Sequence, residues 1–153
     1  MWRVHYVKES TEPLSITENP DLAIMVRGQV YDAISIARIL NQWVHRKAKT
    51  MLGDWLNTLS HELSIPFNRL TIRSQKTLWG SCSSKKNINL NRNLLFLGPS
   101  MVRYVLVHEL CHVKRPDHSA AFWDLVEQYV QGARALSKKT RKAGEEVPQW
   151  ARV

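Results

Sequence analysis

Cysteines and long apolar runs are scarce in this chain, and so are targeting features. Only two of its 153 residues are cysteine, so we expect free thiols rather than a disulfide framework. No apolar run approaches the roughly 18 residues of a membrane span, which argues against a transmembrane class and a membrane partner. The N-terminus shows no basic region followed by an apolar one, so no secretory signal is indicated. Together these absences predict a cytoplasmic protein.

Acidic residues are also few. The chain has 13 Asp and Glu against 22 Lys and Arg, a net charge of +9, and a basic surface favours anionic partners. The densest basic cluster lies in residues 134–153, which the sequence predicts to be a basic tail. It is a candidate nucleic-acid-binding site, although such runs are usually solvated helix ends or loose tails. Its members are Arg134, Lys138, Lys139, Arg141 and Lys142.

The length of the chain predicts a single domain, 1–153. With 44% hydrophobic residues it can bury one core, but it is too short for two ordinary domains. Weak alternation predicts a short β-rich segment over 1–30, and apolar residues at helical spacing predict a long amphipathic helix over 31–64. Strands, a central helix and a C-terminal helix are expected over 68–133.

The pentapeptide HELCH, residues 108–112, carries the strongest chemical signal. On a helix, His108 and His112 differ by about 40° around the axis and can bind one ion. Glu109 lies about 100° round, within reach of a metal-bound water as a general base. The almost wholly apolar segment 101–107 predicts a buried helix, with Pro of the preceding Gly-Pro-Ser in its first turn and Ser as its cap. The alternative, two core histidines bonded to carbonyls, leaves the buried Glu109 unexplained.

A catalytic zinc needs a third protein ligand and an open position for water, and His118 is the best candidate. Pro116 should end the helix, so that the chain turns back and presents His118 to the same ion. Asp117 and Glu127 are alternative ligands or partners of the ligands. The spacing equals that of the metzincins, but Arg115 replaces their turn glycine and all four methionines precede the motif.

Several motifs in a fixed order now resemble one family. WGSCS at 79–83, INLN at 88–91, HELCH at 108–112 and HSAAFW at 118–123 resemble the YgjP-like and SprT-like zinc metallopeptidases, over roughly 69–130. The resemblance implies an α+β fold of the compact single-domain zincin type, with a small mixed sheet over the active-site helix. It also implies a peptide or protein substrate.

The resemblance assigns roles to individual residues. It implies Zn2+ held by His108, His112 and His118, with Glu109 as the catalytic base. It places WGSC beside the active site, where an edge strand can pair with an extended peptide. The open alternative is that these are ordinary sheet strands, with a packed tryptophan and a glycine bulge. The candidate substrate-binding residues are Trp79, Gly80, Ser81, Cys82, Asn89 and Asn91.

Three functions remain open from the sequence. The first is a zinc-dependent peptidase whose oxyanion-stabilising residue is Tyr104, Arg92, Arg115 or His61. The second is a zinc hydrolase of nucleotides or other phosphate substrates. The third is a nucleic-acid-associated protein with a structural or vestigial metal site. SprT-like relatives that act on DNA-bound proteins suggest that nucleic acid could position a substrate. An intact Glu109 argues against the third function, because a structural site needs no base.

Overall fold

The N-terminal part of the chain forms a three-stranded sheet. The structure, a computed structural model, describes residues 2–9, 13–30 and 32–152. Strands β1 (Arg3–Lys8), β2 (Ser15–Asn19) and β3 (Ala23–Gly28) form a sheet with β3 in the middle, parallel to β1 and antiparallel to β2. The segment is therefore richer in strands than its weak alternation suggests. The central β3 is the most buried of the three strands, so it anchors this sheet to the core.

A long helix, α1 (Ala33–Leu63), follows the first sheet. The Asp32 side chain caps it by accepting a hydrogen bond from the Ile34 N–H at 3.0 Å, and Ser64 ends it in the left-handed conformation. Apolar side chains recur about once per turn on the face that packs inward. These buried residues are Leu40, Trp43, Val44, Ala48, Leu52, Leu56 and Leu59.

A second mixed sheet lies beyond α1. It contains β4 (Arg69–Arg73), β5 (Gly80–Cys82) and β6 (Asn87–Asn91) in the order β4-β6-β5. The central β6 runs parallel to β4 and antiparallel to β5. Within the described parts of the chain, β5 pairs on one side only and is therefore an edge strand. This sheet provides one wall of the site below.

Three further helices complete the α+β fold: α2 (Pro99–Lys114), α3 (Ala120–Tyr129) and α4 (Ala133–Lys142). Helix α2 begins at Pro99, where the missing N–H of proline costs no hydrogen bond because N–H groups of a first turn have no partner within the helix. Ser100 therefore lies inside the helix and is not its cap. Helix α2 ends at Lys114, two residues before Pro116, as the sequence predicts. The Ser119 hydroxyl caps α3 by accepting from the Phe122 N–H at 3.4 Å.

The segment predicted to be a basic tail is packed through most of its length. Helix α4 buries Ser137 and Thr140, and Val147 and Ala151 in the turns that follow are also buried. The packed face of α4 consists of small or polar residues, so the sequence shows no periodic pattern of large apolar residues there. Among the described residues, no helix combines the length and apolar character needed to cross a membrane.

Two hydrophobic clusters lie along α1. The larger joins the C-terminal half of α1 to the second sheet and to α2, with Leu52, Leu56 and Leu110 among its buried members. The smaller joins the N-terminal half of α1 to the first sheet through Trp43 and Ile24. Helix α2, which carries HELCH, is thus fixed in the larger core.

Candidate active site

Three histidines meet at one point. Helix α2 presents His108 and His112, and His118 follows from the turn between α2 and α3. The Nε2 atom of His112 lies 3.1 Å from that of His108 and 3.1 Å from that of His118, and the third separation is 3.2 Å. Among the residues that the structure describes, this is the cluster able to hold a metal ion.

The nitrogen triangle fits a tetrahedral metal. At Zn–N distances of about 2.0–2.1 Å, two ligand nitrogens of a tetrahedral site lie about 3.3 Å apart, close to the separations observed. Nδ1 of His112 lies 2.9 Å from the Arg115 carbonyl oxygen, to which it can only donate. Nε2 of a neutral His112 therefore carries a lone pair. His112 can therefore coordinate a cation placed between the three nitrogens.

The protein environment keeps the imidazoles in the form that binds metals. Burial lowers the pKa of His108 to about 3, with further lowering from His112 and His118. Burial also lowers the pKa of His112. Nδ1 of His108 lies 3.0 Å from the Tyr104 hydroxyl, which orients the ring. Both histidines are therefore neutral near pH 7, and the contact of His112 Nδ1 with a carbonyl leaves its Nε2 available for coordination.

The alternative ligands are engaged elsewhere. The Asp117 carboxylate accepts a hydrogen bond from the Ser119 hydroxyl at 2.8 Å, within the turn before α3. Glu127 accepts from the backbone N–H groups of Gly132 and Ala133 at the start of α4. Both carboxylates thus satisfy backbone or hydroxyl donors near helix starts, and neither belongs to the histidine cluster.

Glu109 is buried beside the cluster. Its side chain is 5% exposed, and Oε2 has no hydrogen-bond partner in the described structure. Burial raises the pKa of this carboxyl to about 8. The side chain packs directly on Gly80 of β5, where an added Cβ would lie 2.7 Å from Oε1 and 2.8 Å from Cγ. Strand β5 therefore confines the carboxylate, and only glycine leaves room for it.

A cleft of about 730 Å³ opens in front of the histidines and Glu109. Strand β5 lies along this cleft, and α4 closes it from another side. Apart from the histidines and Glu109, its lining combines apolar, hydroxyl and backbone surface with one guanidinium. These lining residues are Thr77, Leu78, Trp79, Gly80, Ser81, Cys82, Tyr104, Val105, Pro116, Trp123, Ser137, Thr140 and Arg141.

The candidate substrate-binding residues divide into two groups. Residues 79–82 all line the cleft, whereas Asn89 and Asn91 do not. Their strand, β6, is paired on both sides and has no edge for a peptide. The Asn89 amide donates to the Ser81 hydroxyl at 3.1 Å. The Asn91 amide donates to the carbonyls of Gln75 and Leu78 at 2.7 and 2.9 Å. Both asparagines therefore hold neighbouring backbone or side chains in place.

The candidate oxyanion residues are scattered. Tyr104 lines the cleft. Arg92 instead bonds to Asn41 on α1, and His61 lies near the end of α1. Arg115 contributes its carbonyl to His112. None of these last three lines the cleft.

The basic cluster of α4 does not act as one patch. Arg141 lines the cleft, and the guanidinium of Arg134 lies over the Trp123 ring at 4.9 Å from its centroid. The other three members, Lys138, Lys139 and Lys142, are exposed. Sequence reasoning therefore missed the position of Arg141, since only the docking of α4 brings residue 141 to HELCH.

Comparison with known proteins agrees with this geometry. The family model of the YgjP-like metallopeptidase domain matches residues 2–143. No curated protein matches the chain in sequence. The metallopeptidase zymogen abylysin of Pyrococcus abyssi is similar in structure, with a TM-score of 0.51, 28% identity, and coverage of 58% of this chain and 90% of abylysin. The metallopeptidase zymogen jannalysin of Methanocaldococcus jannaschii shares the fold, with a TM-score of 0.51, 23% identity, and coverage of 60% and 94%.

Proposed function

The chain belongs to the YgjP-like metallopeptidase domain family, and we propose that it hydrolyses peptide bonds with a zinc ion held by His108, His112 and His118. The observation that carries the proposal is the triangle of Nε2 atoms, 3.1–3.2 Å on each side, beside the buried carboxylate of Glu109. Glu109 is the proposed general base.

The chemistry follows from the positions of these groups. Zn2+, when bound, supplies a Lewis acid that lowers the pKa of water toward about 7 and polarises a carbonyl. Oε2 of Glu109 is buried and unpartnered, and so available to accept the proton of the attacking water. Glu109 must be ionised for this step, and the charge of a cation bound by the three neutral imidazoles would favour that form. The same carboxyl then passes the proton to the leaving amine.

The edge strand supports a peptide substrate. Strand β5 lies along the cleft with one side unpaired by the described chain, so an extended peptide can add to it through main-chain hydrogen bonds. The alternative of a phosphate substrate has less support, because Arg141 is the one arginine or lysine among the described residues that lines the cleft. Nucleic-acid binding through α4 and a cytoplasmic location stay predictions.

Glu109→Gln tests the assignment of the base. The amide keeps the shape of the side chain but cannot accept a proton, so we expect peptide hydrolysis to fall by about 100- to 10,000-fold. Bound zinc should be unchanged, since Glu109 is not a ligand. The assay is mass-spectrometric detection of cleavage in a defined peptide mixture, with zinc measured on the same samples.

Glu62→Gln is the matched control, because Glu62 is an exposed carboxylate on α1, outside the cleft. It should leave cleavage intact. Full activity in Glu109→Gln would eliminate Glu109 as the base. Absence of cleavage by the zinc-loaded wild-type chain over the whole mixture would contradict the proposed peptidase activity itself.

A further inference from the structure

A second cavity adjoins the catalytic cleft. It has a volume of about 350 Å³ and shares Thr77, Leu78, Trp79 and Arg141 with the cleft. A peptide whose scissile carbonyl lies at the histidines can therefore continue past this shared wall into the second cavity.

The wall between the two spaces is held from both sides. The Asn91 amide bonds to the carbonyls of Gln75 and Leu78, which fixes the turn before β5. The Trp79 indole N–H donates to the Thr140 carbonyl of α4 at 2.8 Å. The fold therefore fixes the distance between the histidine cluster and the second cavity. A peptide must be long enough to reach from one to the other.

The second cavity is positively charged. Lys76, Arg141 and Arg152 line it, and none of the acidic residues that the structure describes does. The Arg152 guanidinium is oriented by hydrogen bonds from Nε to the Val147 carbonyl at 2.8 Å and from Nη2 to the Glu145 carbonyl at 3.0 Å. A carboxylate is the anionic group that a peptide supplies, and guanidinium groups bind it with charge-assisted hydrogen bonds.

Two residues that line the second cavity carry buried acceptor oxygens without a hydrogen-bond donor. Asn93 is 5% exposed, and its amide donates to the Ala151 carbonyl at 3.0 Å, while its Oδ1 has no partner in the described structure. Oε1 of Gln75, which also lines the cavity, is buried and unpartnered. Unpaired buried acceptors are costly, and ligand N–H groups would satisfy them. The cavity therefore suits a ligand that joins negative charge to amide N–H groups.

We propose that this cavity binds a carboxylate of the substrate peptide, so that cleavage is directed to bonds near a chain terminus or an acidic side chain. The inference rests on the proposed peptidase function. A C-terminal residue carries a carboxylate next to its own N–H, and an acidic side chain supplies the same charge farther from the main chain. Both sources share one chemistry, and defined peptides distinguish them.

The test measures binding rather than turnover. Zinc-loaded Glu109→Gln protein is titrated calorimetrically with N-acetyl oligoalanine peptides of about three to six residues, each residue adding about 3.3 Å of reach. Every peptide is prepared as the C-terminal acid and as the amide. A second set, amidated throughout, carries Glu or Gln at one internal position.

Acids should bind at least about tenfold more tightly than amides above a minimum length, the order expected of a charge-assisted contact. Arg152→Gln and Lys76→Gln, each made in the Glu109→Gln background, should reduce this preference. Two positions are used because loss of Arg152 also removes bonds to the C-terminal turns. Lys85→Gln is the charge-matched control, since Lys85 is exposed and lines neither cavity, and it should keep the preference.

Preference for internal Glu over Gln, lost in the same two variants, would support the acidic side chain as the source. Equal binding of acids and amides, and of the Glu and Gln forms, would overturn the inference. A preference that survives both cavity variants would overturn it as well. In those cases, continued peptide cleavage by the wild type would leave the proposed function standing. Conversely, a carboxylate preference with no peptide hydrolysis by the zinc-loaded wild type would overturn the peptidase proposal and the directed cleavage, and would leave carboxylate binding by the cavity as the surviving result.

Discussion

Gly80 determines where the Glu109 carboxylate lies. A Cβ at this position would approach Oε1 to 2.7 Å, closer than real contacts allow, so Gly80→Ala must displace the carboxylate. A displacement of about 1 Å in a catalytic group can cost about a hundredfold in rate. We therefore expect kcat/KM of peptide hydrolysis to fall by about that factor, while zinc content stays unchanged.

Gly53→Ala is the control that shows whether a methyl group added elsewhere in the fold also lowers kcat/KM. A Cβ at Gly53 meets Leu70 Cδ2 at 3.7 Å, an ordinary contact, in the middle of α1. It should leave kcat/KM intact. Wild-type kcat/KM in Gly80→Ala would show that β5 does not confine Glu109.

Cys82 shares the cleft with Glu109, and its thiol should be unreactive near neutral pH. Burial raises its pKa from 9.0 to about 11, and the nearby Glu109 carboxyl adds to the shift. Because the folded-state pKa is higher, the thiolate fraction below about pH 9 is roughly a hundredfold smaller than that of an unperturbed thiol. Iodoacetamide labelling of Cys82, followed by peptide mass mapping, should be slow at pH 7 and rise about tenfold per pH unit. A labelling rate that levels off below pH 9 would contradict the raised pKa.

The residues that the structure brings to the histidine cluster and that the sequence also singles out lie close together along the chain. His108, Glu109, His112 and His118 fall within one helix and the turn after it, so local spacing and the helix-ending Pro116 suffice to place them. Gly80 and Arg141 reach the same site only through tertiary packing. In the sequence, Gly80 is a glycine in a predicted strand and Arg141 is one charge in a basic run. The residues next to them in the chain do not indicate which side chains they contact.

Helix α4 is joined to β5 through Trp79. The indole N–H donates to the Thr140 carbonyl at 2.8 Å, and a lost hydrogen bond of this kind costs about 1 kcal/mol. Trp79→Phe should therefore lower the free energy of unfolding by about this amount and raise amide hydrogen exchange in α4, because the helix loses its tie to the sheet.

Trp55→Phe is the control for removing an indole. Trp55 lies on α1 and packs, partly buried, against the larger core. Trp55→Phe should lose packing energy and leave hydrogen exchange in α4 unaltered. Exchange in α4 that is equal in wild type and Trp79→Phe would mean that this hydrogen bond does not hold the helix.

The helices were predictable to different degrees. Helices α1 and α3 show apolar residues at helical spacing and begin after residues that favour N-caps, Asp32 and Ser119, both of which cap their helices in the structure. Helix α4 packs through Ala133, Ser137 and Thr140, small or weakly polar residues that carry no hydrophobic signal. Its basic, exposed side dominates the sequence pattern, which therefore predicts a tail rather than a packed helix.

The arrangement of the whole molecule explains why the site is formed from distant segments. Helix α1 contributes to both hydrophobic clusters, and Trp79 and Leu95 pack against both. The cleft and the basic cavity lie on either side of the wall that contains Trp79. Composition and motifs predicted an α+β metallopeptidase. They could not predict the second cavity, because its lining comes from residues 75–79, 93 and 141–152, and no local sequence pattern links these segments.

Titration of the metal-free protein with Zn2+ decides whether the three histidines hold the metal on which activity depends. Cleavage of the defined peptide mixture should be absent without metal, rise in proportion to added Zn2+, and saturate at about one equivalent per chain, as expected for a single site of three imidazoles. Cleavage that persists in the metal-free protein, or that never appears on addition of Zn2+, would contradict a zinc peptidase centred on His108, His112 and His118.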